Sequence, residues 1–337
     1  MAARQRGRPP RAEVYGRFAT QVRELWERLG GLPSPLESQS IWRGIWYEEA
    51  HHSTAIEGNT LVLKQVEVLL AEGRAVGSKE LREYNEVKGY ADAADWVYRQ
   101  AISPSSYQAG LLTLTELRHV HEMAMRPAWD VSPHPDATPR EGPGSFREHE
   151  IHAFPGGMEP VSWTQVPAEI DAWLRDVRDL GASESLDLEA LPEQLAELHA
   201  RFERIHPFLD GNGRTGRLAL NLVLVRLGCP PAIIYKTDRP RYLRALRRAD
   251  AGDPGELGEV IARAVLDNLY KFVVPAVAGP ARLVPLAALA DERISQPALR
   301  TAAKRGRLQA VRGPDGQWRS SRNWVDEYLV TRYERRR

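Results

Sequence analysis

His206-Pro207-Phe208-Leu209-Asp210-Gly211-Asn212-Gly213-Arg214-Thr215-Gly216-Arg217 is the stretch from which the rest of this 337-residue chain is best read. The apolar spacing before it predicts a helix over Leu191–Ile205. The run from Thr215 to Leu227 predicts a second helix, opening at about Arg214. Between them lies a polar, Gly-rich loop. Such a loop aims free backbone N–H groups at one point, where the dipole of the second helix also favours an anion. Gly211 and Gly213 permit close backbone approach and positive φ. Arg214 and Arg217 stand one turn apart, so both guanidiniums can face the same anion. Asp210 is a hard oxygen ligand suited to Mg²⁺ on a polyphosphate. His206 has a side-chain pKa suited to a general base at neutral pH. A base, a metal ligand, an anion nest and two arginines within twelve residues describe a nucleotide phosphate site.

The composition fits a folded enzyme: 42% of residues are hydrophobic and 27% charged, which excludes disordered and fibrous classes. The single cysteine, Cys229, excludes an intrachain disulfide framework and suits a reducing cytoplasm. No apolar run approaches the roughly 18 residues that a bilayer span needs. The opening MAARQRGRPPR has no apolar segment after its arginines, so neither a membrane nor a secretory route is expected. The net charge of +1 divides unevenly: +4 in residues 1–11, +7 in residues 282–337 and −10 between them. Basic ends on an acidic body suggest modules and nucleic-acid contacts.

Helical periodicity is also found at Tyr15–Leu29, Ser38–Ile56, Leu63–Glu72, Ser78–Gln100, Thr113–Met125, Pro167–Leu180, Arg239–Ala249 and Leu257–Val274. Residues 148–163, with Pro155-Gly156-Gly157, read as a hairpin. After a linker at Val277–Pro280 the pattern changes. Short helices at Leu283–Glu292 and Gln296–Lys304, strands at Leu308–Arg312 and Gln317–Ser320, and a helix at Ser321–Tyr333 outline a winged helix-turn-helix. The expected fold class is mostly α with a short β-hairpin, plus that C-terminal domain. The expected divisions are a basic tail at 1–12, N-terminal helices at 13–110, a core at 111–276 and the module at 281–337.

HPFLDGNGRTGR resembles, letter for letter, the HPFx(D/E)GNGRxxR signature of the Fic family. Gly144-Ser145-Phe146-Arg147 resembles that family's segment entering the flap, and the helix around His121 resembles the one before it. The resemblance covers roughly residues 40–275 and implies a helical Fic core that transfers AMP from ATP onto a hydroxyl of a target protein. It implies that His206 is the base, and that Asp210 holds Mg²⁺. It further implies that Gly211, Asn212 and Gly213 cradle the phosphates, while Arg214 and Arg217 neutralise them. The flap at 148–163 would dock the target by strand addition, Tyr242 would line the nucleotide pocket, and a homodimer is frequent among such proteins.

Ser53 and Glu57 are four apart, hence on one helix face, and Gly58-Asn59 can end that helix. The stretch Ser53-Thr54-Ala55-Ile56-Glu57-Gly58 resembles the family's (S/T)xxxE(G/N) inhibitory motif. That resemblance implies an autoinhibited enzyme in which Glu57 pairs with Arg217. Two alternatives stand beside it: a hydrolase that uses Glu57 to remove AMP, and a DNA-binding regulator whose core senses nucleotide. The C-terminal module resembles the excisionase and MerR type, which implies DNA contacts from Arg300, Lys304, Arg307, Arg312 and Arg319. Arg6-Gly7-Arg8-Pro9 resembles a minor-groove AT-hook core.

Overall fold

A helix buried on every side belongs at the centre of a fold, and Asn212–Arg226 is such a helix, buried at every residue except Gly213. It is preceded by α1 (Arg11–Arg28), α2 (Gln39–Ile56), α3 (Leu63–Glu72), α4 (Leu81–Ile102), α5 (Leu114–Trp129), α6 (Val166–Gly181) and α7 (Leu191–Ile205), and is itself α8. Helices α2, α4, α5 and α7 all pack on it. α9 (Arg239–Asp250) and α10 (Gly255–Asn268) follow, then a π-helical turn at Leu269–Val273 and the short α11 (Val274–Val277). The computed structural model describes residues 10–35, 38–102, 110–152, 157–182, 186–279, 282–313 and 316–332. The Arg6–Pro9 motif lies outside them. Among the described residues no helix is long and apolar enough to cross a membrane.

Local chemistry explains the element ends. Thr113 caps α5 by accepting from Glu116 N at 3.2 Å, while Glu116 Oε2 accepts from Thr113 N at 2.9 Å. The same Glu116 carboxylate binds Arg226 at the far end of α8, at 2.6 and 3.0 Å, so one cap also locks two core helices together. α4 and α5 approach closely at Gly89, where a Cβ would lie 2.6 Å from Ala124 O. α5 runs past the expected end at Met125 to Trp129, through Pro127. The predicted Leu257–Val274 helix instead widens into the π-turn after Asn268, just before Pro275 removes a backbone donor.

The C-terminal region is a three-stranded antiparallel sheet, order β1-β3-β2, from β1 (Val284–Pro285), β2 (Val311–Arg312) and β3 (Trp318–Ser320). It carries α12 (Gln296–Lys304) and α13 (Arg322–Thr331). The helix expected over Leu283–Glu292 is replaced by β1 and a single 3₁₀ turn at Leu286–Leu289. Val284 and Pro285 pair with Ser320 and Arg319, so a long-range partner overrides the Leu/Ala-rich helical propensity.

Arg319 corrects another expectation. Its guanidinium binds both carboxylate oxygens of Glu24 on α1, at 2.6 and 2.8 Å, and the residue is 8% exposed. It docks the module onto α1 instead of facing solvent, so it is not a phosphate ligand. Arg300, Lys304, Arg307 and Arg312 are exposed.

Candidate active site

α7 ends at His206, which adopts φ 47°, the only positive φ of a non-glycine residue among those described. A left-handed conformation costs a histidine about 1 kcal/mol or more, and two contacts hold it in place. Arg147 Nε donates to His206 O at 2.8 Å, and the imidazole Nδ1–H donates to Glu203 O at 3.1 Å. Because a carbonyl only accepts, the basic lone pair is on Nε2. Burial pushes the imidazole pKa down to about 4, so His206 is neutral at physiological pH, as a proton acceptor must be.

Beyond His206 the loop is closed by its own side chains. Asn212 Oδ1 accepts from Phe208 N at 2.9 Å and its Nδ2 donates to Phe208 O at 2.7 Å. Both polar atoms of the Asn212 side chain are therefore engaged in shaping the loop. His121 Nδ1 accepts from Gly144 N at 2.7 Å, its Nε2 donates to Asp210 O at 2.9 Å, and its ring stacks on Phe208 at 3.7 Å. Gly211, at φ 81°, has no room for a side chain: a Cβ would lie 2.4 Å from Met125 Sδ.

The charged groups converge at the N-terminus of α8. Asp210 Oδ1 accepts from Gly211 N at 2.6 Å and from Arg214 Nη2 at 3.0 Å, and Oδ2 lies 3.5 Å from Arg82 Nη2 on α4. Burial works to raise the Asp210 pKa, but Arg214, Gly211 N–H and Arg82 prevail and hold it below the ordinary carboxylate value. An ionised oxygen ligand at a phosphate site fits Mg²⁺, which commonly takes one or two protein carboxylates together with substrate phosphates and water. No cluster of three or more His, Cys, Asp or Glu side chains exists among the described residues to hold a metal ion alone.

Arg217, 4% exposed, donates to Glu57 Oε1 at 2.7 Å, Ser53 Oγ at 2.7 Å and Ser53 O at 3.0 Å. The predicted Ser53/Glu57 face thus meets the predicted arginine. Glu57 Oε1 also crowds Gly213, where a Cβ would sit 2.5 Å from it. Burial raises the Glu57 pKa, but the charge and hydrogen bond of Arg217 outweigh it and keep the group ionised. A carboxylate of the chain itself therefore occupies the mouth of the anion nest.

Several contributors escaped the sequence reading. One is Glu49, one turn before Ser53 on α2. Glu49 is buried, accepts from Tyr90 Oη and Asn221 Nδ2 at 2.8 Å each and from Tyr98 Oη, and burial raises its pKa. Arg147 is another: beyond its bond to His206 O it donates to His149 O at 3.0 Å and to Val161 O, with its own N–H on Pro207 O at 3.0 Å. It ties both arms of the 148–163 segment to the base of the loop. Those arms, 148–152 and 157–162, form no strand ladder with each other, so the hairpin is absent among the described residues, with 153–156 outside them. Tyr242 is 1% exposed and its hydroxyl meets His199 Nε2 at 2.7 Å, so it supports the layer beside Arg217.

Residues 111–224 match the family model described as the Fic/DOC family. The chain is 28% identical over 274 residues to "Protein adenylyltransferase fic-1" of Caenorhabditis elegans, covering 81% of this chain and 50% of that protein. It is 33% identical over 210 residues to "Protein adenylyltransferase Fic" of Drosophila willistoni, covering 62% and 38%. It thus spans about half the length, or less, of these curated relatives. Among solved structures, Fic-1 from C. elegans superposes with a TM-score of 0.57 at 26% identity, over 75% of this chain and 69% of that one. A Fic domain containing signaling protein from Bacteroides thetaiotaomicron shares the fold, with TM-score 0.59 at 22% identity over 78% and 95%. Residues 111–224, which hold His206 and the loop at the head of α8, are thus the part of this chain that is similar to the Fic/DOC family.

Proposed function

We propose that this protein is an adenylyltransferase that moves AMP from ATP onto a hydroxyl side chain of a target protein, and that Glu57 restrains it. The observation that carries this reading is the Glu57–Arg217 pair at 2.7 Å: the site already holds one anion, contributed by the chain itself. The names of the relatives above support the same chemistry.

His206 Nε2 takes the proton of the attacking hydroxyl, which bonds to the α-phosphorus as the bond to the departing pyrophosphate breaks. The backbone N–H groups at the head of α8, with Arg214 and Arg217, offset charge on the phosphates. Asp210 would hold Mg²⁺ against the polyphosphate, where the ion supplies further charge neutralisation. The target would lie along the segment clamped by Arg147. Glu57 acts by occupancy, because Arg217 cannot serve a carboxylate and a γ-phosphate together.

Incorporation of labelled AMP into the protein itself tests this. Glu57→Gly should raise it about tenfold or more, since about 1.4 kcal/mol of lost competition is worth one decade. Adding His206→Ala should abolish it, and unchanged incorporation in Glu57→Gly would overturn the reading. Exposure of Arg300, Lys304, Arg307 and Arg312 supports a second role in nucleic-acid phosphate binding. A slope of log K against log salt near zero would remove that role.

A further inference from the structure

Against Gly216, the residue before Arg217, lies a carboxyl group without an assigned task. Glu203, on α7 three residues before His206, is 4% exposed, and its Oε1 has no hydrogen-bond partner among the described residues. A buried carboxyl oxygen left unpaired costs about 1–3 kcal/mol, and the surroundings are shaped to keep it. Gly216 stands against it, where a Cβ would lie 2.8 Å from Oε1. His199 Nε2, the nearest nitrogen, is 3.9 Å away and already engaged with Tyr242.

The charges facing this pocket come from five elements. α2 contributes Glu49 and, at its C-cap, Glu57, α4 Tyr90, α7 His199 and Glu203, α8 Arg217, and α9 Tyr242. Burial pushes Glu203 up to about 8 despite the attraction of Arg217, and burial pushes His199 down to about 3. Glu49 is raised too, and its oxygens are taken by Tyr90, Tyr98 and Asn221. Among these groups Glu57 is the anion hydrogen-bonded to Arg217. Removing Glu57 without supplying a phosphate would leave a buried guanidinium uncompensated, a state that costs several kcal/mol.

We propose that Glu203 is the reserve counter-ion of Arg217, ionising and pairing with it when Glu57 is withdrawn and returning to its neutral form when a nucleotide phosphate takes the guanidinium. Glu203 is a positioning residue in this scheme. Withdrawing Glu57 removes a repelling anion and leaves Arg217 unshared, so Glu203 loses its proton. Phosphate binding reverses the exchange and takes one proton up. Nucleotide affinity in the released state then falls as pH rises, across the range in which Glu203 is ionised without nucleotide and protonated with it. The proposal rests on the competition by Glu57 proposed above.

Two measurements test it. Titration calorimetry of ATP·Mg²⁺ binding at pH 7, in buffers of different ionisation enthalpy, should show Glu57→Gly taking up nearly one proton more than Glu57→Gly/Glu203→Gln. The pH dependence of Kd, up to tenfold per unit, should flatten in the double variant; identical proton counts would overturn the proposal. Infrared difference spectra of nucleotide-free Glu57→Gly against wild type at pH 7 need no change at Glu203. They should show one protonated buried carboxyl lost, and an unchanged protonated-carboxyl band overturns the assignment. If Glu57→Gly gains no activity while that band disappears, the fault lies in the adenylyltransferase reading and the counter-ion assignment stands.

Discussion

Arg147→Met removes the clamp at the centre of the site while keeping much of its apolar volume. The guanidinium, 2% exposed, serves the carbonyls of His206 at 2.8 Å, His149 at 3.0 Å and Val161. Hydrogen bonds from a charged donor contribute about 1.5–3 kcal/mol each. His149 O can regain water once its arm swings out, so the net loss is nearer the value for two bonds, about 3–6 kcal/mol. This energy holds a local closure. Hydrogen exchange at the Arg147 and Val161 amides, bonded to Pro207 O and Arg204 O, should therefore speed up by about 10²–10⁴-fold, one decade per 1.4 kcal/mol. Amides of the buried α10 should keep their rates. His206 loses the bond that stabilises its left-handed backbone, and a displacement near 1 Å there costs on the order of 10²-fold in turnover. Exchange at both amides within about threefold of wild type would refute the clamp.

Two further perturbations test other parts of the fold. Burial holds His121 at about 4, below the ordinary 6.5, so its neutral form stabilises the folded state above pH 6.5 and that contribution is lost as pH falls toward 4. Wild type should lose about 1.4 kcal/mol per pH unit relative to His121→Gln across that window in urea unfolding, and parallel curves would refute it. The Arg319–Glu24 pair, with side chains 10% and 17% exposed, should show a coupling of about 1–3 kcal/mol in a double-mutant cycle. A coupling under about 0.5 kcal/mol would mean that the C-terminal sheet is held to α1 by other contacts.

The local part of the site was legible from residue order. His206, Asp210, Arg214 and Arg217 are a loop and one helix turn, and local order places them together. Ser53 and Glu57 were legible as a face, and the family motif supplied their partner across 160 residues. What stayed hidden depends on distance in the chain. Nothing near Arg319 signals Glu24, 295 positions away, and a basic run reads the same whether solvated or paired. Arg147 was noted only as part of a motif, because its partners are carbonyls, and carbonyls carry no sequence signal. Glu203 and His199 gave a faint one: ionisable residues four apart on the otherwise apolar face of α7, where burial demands an explanation. Val284 and Pro285 misled because strand pairing with β3 outweighs the helical preference of the leucines and alanines after them.

The amide of Asn212 joins to Phe208 as a complementary edge, one donor and one acceptor on each side. The socket below it is accordingly set before any guest arrives, and a ligand need not spend binding energy on arranging the backbone. Under the restraint proposed above, on and off differ by which anion sits on a single guanidinium. A change as small as one side-chain rotation at Glu57 can decide between them, and helix packing need not be disturbed.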